Sequence, residues 1–375
     1  MKKTLCRIIA AILITAVILA AILAAGEMTS TDKTWRSFYS LDKNSIDVVL
    51  IGASGLAYYY QQSQAYGERG YTSYNLTSAA QPYELITTIM DEALRFQDPD
   101  LFVVEIRSIA SVEDKYENAK PGQSKADIDY EYRQVLWGLL DPFSPYRWKS
   151  ILKFRKEMTL ENFLESCFPL LGYHENVYDL ENIASNLRAS WKKYYGTPDI
   201  TITTDYTERA KEQSRLTQNS TYHADEAKKA ALDEIYSKAQ ACGKPVLFLM
   251  TPYLQNEIMY SIQNELVDYM REQGYDYLDC RGLENEIGLD YGSDFYDLRH
   301  VNVIGAHKFT SWFAEYLDEH YDLSKNYSEA SSAAWDDLAA GEKVLYQRRK
   351  SIAEEDVYIE NSDGALIPKH KQPEK

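Results

Sequence analysis

The spacing of apolar and polar positions changes several times along this chain, and each change marks an element. The β-branched run from Ile46 to Ile51 predicts a strand buried on both faces, broken by Gly52, Ala53, Ser54 and Gly55. Tyr71 to Asn75, Leu101 to Ile106, Val246 to Met250 and Tyr275 to Leu278 read as four further strands. Between them the period turns helical. Pro82 opens a helix whose Leu85, Ile86, Ile89, Met90, Ala93 and Leu94 share a face. Ala227, Ala231, Ile235 and Ala239 mark a second helix, closed by Gly243, and Ile258, Ile262, Leu266 and Met270 a third, closed by Gly274. Ala306, Phe309, Phe313, Tyr316 and Leu317 form the apolar stripe of a last one. Strands alternating with helices predict an α/β fold in one domain, with a parallel sheet covered on both faces.

Two stretches depart from that rhythm. From about Ala110 to Tyr222 the alternation stops, and helical pieces around Arg133 to Leu140 and Leu160 to Leu171 predict a helical insertion. Its Arg147, Lys149, Lys153, Arg155, Lys156, Lys192 and Lys193 read as a solvated basic face. Beyond Tyr327 the chain is Ser/Ala-rich and then charged, with helical character from Ala333 to Arg348 and a final dozen residues expected to be disordered.

At the other end, Lys2, Lys3 and Arg7 precede an uncharged apolar run from Ile8 to Ala25. That length suits a membrane span, and the basic flank keeps the N-terminus cytoplasmic and sends the rest across. No clean Ala-x-Ala site precedes Gly26, which favours an uncleaved anchor over a signal peptide. The expected organisation is a membrane segment over 1–28 and a spacer over 29–45. An α/β domain over 46–326 follows, with its insertion at about 110–222, and then a polar, partly disordered tail over 327–375.

The net charge of −17 over 375 residues argues against nucleic acid as a partner, because phosphate binding needs a basic face. Four cysteines (Cys6, Cys167, Cys242 and Cys280) show no metal-ligand or Cys-x-x-Cys spacing, so no disulfide framework is expected.

Candidate chemistry lies in two places. Asp297 precedes His300 by three residues, in a loop ahead of the last helix, where a carboxylate can orient an imidazole acting as a base. Ser54 ends the first strand among small residues that let a carbonyl approach backbone N–H groups. In a parallel α/β sheet both positions fall at the carboxyl edge of the strands, where active sites lie. A serine needs such a base before it becomes nucleophilic, so Ser54, His300 and Asp297 form a candidate triad. The plainer reading is a helix-capping serine and a surface histidine beside an aspartate. Ser54 is not in a Gly-x-Ser-x-Gly elbow, the glycines form no phosphate loop, and no spacing makes metal ligands of His300, His307 and Asp297.

Gly52-Ala53-Ser54 and the block Asp297 to Gly305 (Asp-x-x-His-x-Asn-x-x-Gly) resemble the SGNH, or GDSL-like, hydrolases and acyltransferases. The likeness covers about residues 46–106 and 224–320. It is nearest to membrane-anchored members such as the D-alanine transfer protein of teichoic-acid modification and polysaccharide O-acetylation proteins. Asn75 to Gln81 is similar to their Asn-Leu-x-x-x-x-Gln stretch. The resemblance implies a flavodoxin-like three-layer α/β/α sandwich and an extracytoplasmic serine esterase or O-acyltransferase. Such an enzyme acts on acyl groups of cell-surface polysaccharide or wall polymer, without cofactor or metal. A membrane-bound acyltransferase would be a partner, and the membrane is engaged through residues 8–25. Ser54, Ala80 (or Ala79) and Arg107 would form the oxyanion hole. The family's glycine in the second block and asparagine after the third strand are absent here. The missing asparagine supports the alternative of a catalytically inactive SGNH-fold binding or scaffold protein of a membrane-associated polysaccharide-modification system.

Overall fold

Strand β1 (Val48–Gly52), β2 (Ser73–Thr77), β3 (Leu101–Glu105), β5 (Val246–Met250) and β6 (Tyr277–Asp279) line up in the order β2-β1-β3-β5-β6, all parallel. The computed structural model describes residues 33–78, 80–110, 122–168, 200–213, 223–360 and 365–369, with Arg7, Ile14 and Thr15. No helix among the described residues is long and apolar enough to cross a membrane. The expected span, Ile8 to Ala25, lies outside them except for Ile14 and Thr15. The three described cysteines are free thiols.

Contacts divide the chain into two units, residues 41–119 with 195–375, and residues 1–40 with 120–194. The first holds the sheet. Alternate strand residues Val48, Leu50, Leu101, Val103, Leu247 and Leu249 share one buried cluster with Phe309 and Phe313. Their neighbours Val49, Ile51, Phe102, Val104 and Phe248 are buried as well, so both faces of the sheet are covered. Helices α1 (Ser54–Tyr59), α2 (Gln62–Arg69), α6 (Val303–His320) and α7 (Glu329–Glu355) pack among themselves. So do α3 (Ile86–Ala93), α4 (Glu226–Ala241) and α5 (Glu257–Gln273). The chain goes from β1 to β2 on one side and to β3 on the other. The carboxyl ends of β1 and β3 are therefore the switch point at which such sheets place their sites.

Several element limits differ from the sequence expectation, each for a local reason. β1 starts at Val48 because Asp47 turns its carboxylate to the Thr72 amide, 2.9 Å away. The second strand runs Ser73–Thr77 rather than Tyr71–Asn75, since Thr72 is spent on that turn. Pro82 is extended and precedes a 3-10 turn, Tyr83–Leu85, and the α-helix begins only at Ile86. The last strand begins at Tyr277, because the Tyr275 amide closes α5 by bonding Met270 O at 2.9 Å. β3 ends at Glu105.

A second, three-stranded sheet has no counterpart in the sequence reading. β4 (Thr203–Asp205) falls inside the stretch expected to be helical insertion. It pairs in parallel with β7 (Val357–Glu360), which pairs antiparallel with β8 (Leu366–Pro368), both from the stretch read as a tail. The helix expected over Ala333 to Arg348 extends over Glu329–Glu355. Residues 370–375, within the final dozen, lie outside the described residues.

The other unit contains described helices Lys33–Tyr39, Lys125–Leu139, Pro145–Lys153 and Leu160–Cys167. Ser124, Ser144 and Thr159 cap the last three through their side-chain oxygens, satisfying amides that the first helical turn leaves open. Arg147 is not on a solvated face, as its place in the basic stretch suggested. It is buried, and its guanidinium donates to Trp137 O and Ser166 O, both at 2.7 Å. Lys192 and Lys193 lie outside the described residues.

Candidate active site

The block from Asp294 to Gly305 folds into a tight loop for reasons legible residue by residue. Phe295 and Val301 bridge its arms, and both are buried. Asn302 caps α6, accepting from the amides of Ile304 and Gly305 at 2.9 and 3.1 Å. Gly305 is required by close approach, because a Cβ there would lie 2.4 Å from Asp294 O. Asp297 folds back on its own loop, its Oδ1 accepting from the amides of Arg299 and His300 at 2.7 and 2.8 Å. The same carboxylate stands 2.9 Å from His300 Nδ1 through both oxygens.

Neighbouring segments pin this loop from outside. Leu254 N, four residues beyond β5, donates to Leu298 O at 2.9 Å, and Arg107 Nη1, two residues beyond β3, donates to Arg299 O at 2.7 Å. On another side Thr204 N donates to Phe295 O, and Thr204 Oγ1 to Tyr296 O, both at 2.8 Å. Asn302 Nδ2 donates to Thr203 Oγ1 at 2.8 Å. His300 is thereby held on a framed loop rather than a pendant one.

Ser54 begins α1 at the carboxyl end of β1, and its Oγ lies 2.9 Å from His300 Nε2. The structure brings together all three residues of the candidate triad. Tyr58, one turn along α1, places its ring 4.7 Å from the imidazole. Below the turn lies a residue that the sequence reading passed over. Glu105, at the end of β3, is fully buried, and its Oε2 accepts from Leu56 N at 3.1 Å while its Oε1 accepts from Thr251 Oγ1 at 2.7 Å. A Cβ on Gly55 would meet Glu105 Oε1 at 2.5 Å and Arg107 Nη1 at 2.6 Å. The small residue after Ser54 therefore makes room for the Glu105 carboxyl group and the Arg107 guanidinium beneath the turn. A charged residue closing an otherwise apolar strand was the available signal.

Two carboxylates here respond to their surroundings in opposite senses. Burial raises the Glu105 carboxyl above its usual range, although Arg107, Thr251 and the amides of Leu56 and Ala53 pull it down. Burial also pushes Asp297 up, but the His300 ring and the Arg299 and His300 amides outweigh it, and its pKa ends below the usual value. Asp297 is thus an ionised acceptor at neutral pH. An ionised acceptor at Nδ1 holds the imidazole proton there and leaves Nε2 open to take the Ser54 proton.

No family model matches the chain. No curated protein matches its sequence either. The site therefore rests on its own geometry.

The oxyanion candidates fall in different situations. Arg107 is buried, with its guanidinium 4.0 Å over the Tyr253 ring, tied to the base loop as described. Ala80 is exposed, in the left-handed region at φ 45°, in the loop that follows β2. That loop leaves from the same sheet edge, since Thr77 pairs with Gly52, yet no hydrogen bond among the described residues links Ala80 to the triad. Ala79 lies outside the described residues. Asn75 and Gln81 are buried, and Asn75 Nδ2 donates to Tyr60 O at 3.1 Å, fastening the turn between α1 and α2.

Proposed function

We propose that this chain is a membrane-anchored, extracytoplasmic serine esterase or O-acyltransferase with an SGNH-type, flavodoxin-like α/β/α fold. Its substrate is an acyl group on cell-surface polysaccharide or wall polymer. One observation carries the reading: Ser54 Oγ, both nitrogens of His300 and Asp297 form a continuous chain of contacts at 2.9 Å each. The anchor and the polymer come from the apolar run over Ile8 to Ala25 and from the family resemblance of the two blocks.

Ser54 Oγ attacks the ester carbonyl as its proton passes to His300 Nε2, and Asp297 stabilises the imidazolium. The C–O bond to the leaving alcohol then breaks, that oxygen takes the proton from Nε2, and an acyl-serine remains. Water or a sugar hydroxyl gives its proton to Nε2 and attacks the acyl carbon; the bond from that carbon to Oγ then breaks, and Nε2 returns the proton to Ser54 Oγ.

The test is labelling of the purified full-length chain with a fluorophosphonate, which reacts with serines activated in this way. Labelling is expected in wild type and lost in both Ser54→Ala and His300→Ala. A folded wild type that does not label, or a Ser54→Ala variant that labels equally, overturns the reading.

A further inference from the structure

Helix Pro145–Lys153 has two contrasting faces. Arg147, Ser150 and Ile151 are buried within their unit. On the other side Trp148 and Leu152, one turn apart, are 36% and 61% exposed, and Phe143, just ahead of the helix, is 83% exposed. Lys149, Lys153 and Lys156 are exposed beside them. From Pro142 to Lys156 the chain carries five cations and no carboxylate, although its net charge is −17.

An aromatic and aliphatic ridge flanked by lysines is the make-up of a helix lying in a lipid headgroup layer. Trp148 Nε1 donates to Pro142 O at 2.9 Å, so the indole can enter an apolar layer with its polar atom satisfied. The lysines supply charge complementary to anionic lipid. Chain length supports the same occupant. Asp141 N donates to Tyr39 Oη at 2.9 Å, which ties the segment just ahead of Phe143 to helix Lys33–Tyr39. Only residues 26–32 separate that helix from the apolar run ending at Ala25. Those seven residues extended, plus the helix, reach roughly 35 Å at most.

We propose that Phe143, Trp148 and Leu152, with Lys149, Lys153 and Lys156, form a docking face for an anionic lipid bilayer. The proposal rests on the reading of residues 8–25 as an anchor and is independent of the serine chemistry.

A photoreactive diazirine residue replacing Leu152 tests it in the full-length chain. The chain is reconstituted in nanodiscs of phosphatidylcholine with or without phosphatidylglycerol, irradiated, and analysed by mass spectrometry. Phospholipid adducts are expected, more in the discs containing phosphatidylglycerol. The combined Lys149→Glu, Lys153→Glu and Lys156→Glu substitution should lower their yield about tenfold there while leaving fluorophosphonate labelling unchanged. The same probe replacing buried Ile151 should give no lipid adduct. Adducts to residues 8–25, to a second copy or to water alone overturn the proposal, and so does a chain that fails to enter the discs. The labelling experiment reads separately whether the serine chemistry stands.

Discussion

Arg107 Nη1 donates to the carbonyl oxygen of Arg299 at 2.7 Å, immediately before His300 in the chain. The same nitrogen marks one wall of the space at Gly55, immediately after Ser54. One guanidinium, rooted just past β3, thus stands between the turn that begins at Ser54 and the loop that carries His300. Those segments are 246 residues apart in sequence, and their 2.9 Å contact depends on the ground between them. Positioning of this kind matters because small displacements of reacting groups cost large factors in rate.

Glu105→Gln keeps the size of the buried side chain but replaces one of its two acceptor oxygens with an N–H donor. Fluorophosphonate labelling of Ser54 should slow by roughly 10- to 100-fold with the fold retained. Because the Glu105 pKa is raised in the folded state, its stabilising effect is fully present below the unfolded value of 4.5 and is lost as pH rises through the folded value. Thermal melts across that window should therefore fall with rising pH more in wild type than in the variant. Equal labelling rates would show that Glu105 supports folding alone.

Gly55→Ala forces a methyl group against Glu105 and Arg107, neither of which can retreat from the interior. A loss of about 1–3 kcal/mol in unfolding stability is expected, with impaired labelling. Gly341→Ala is the counter-case, since a Cβ there meets nothing within 4 Å and the residue lies inside α7. It should stabilise by up to about 1 kcal/mol. Denaturant melts that reverse this order would overturn the account of the packed turn.

Asp297→Asn addresses the carboxylate whose pKa is lowered. Such a group stabilises the fold above its unfolded value of 3.8, and that contribution disappears as pH falls through the lower folded value. The difference in melting temperature between wild type and variant should shrink as pH falls below 3.8. Labelling should drop sharply in the variant at all pH values, because an amide can present its N–H to Nδ1 and leave Nε2 protonated. A difference that grows as pH falls below 3.8 would contradict the sign.

The sheet and the candidate triad were legible for physical reasons that belong to short range. Val246 to Met250 reads as a buried strand because its side chains must be covered on both faces, and that pattern survives in one dimension. Asp297, His300, Asn302 and Gly305 are spaced by the geometry of one loop and one cap, so their residues carry the signature. Glu105 left a weaker trace, since its partners Leu56 and Thr251 are supplied by other elements. β4 and β7 left almost none. Thr203 and Val357 are 154 positions apart, and three- or four-residue strands are too short to set a period.

That late pairing has a consequence in time. Thr203 N donates to Asp356 O at 3.0 Å and Thr203 Oγ1 to Ala353 O at 2.7 Å, while Thr203 and Thr204 brace the loop that carries His300. Ser54 leaves the ribosome some 300 residues before those partners exist. A growing chain thus presents Ser54 well before the pairing that braces the His300 loop can form. Bracing of the His300 loop therefore waits until residues 353–357 have been synthesised, long after Ser54 has emerged.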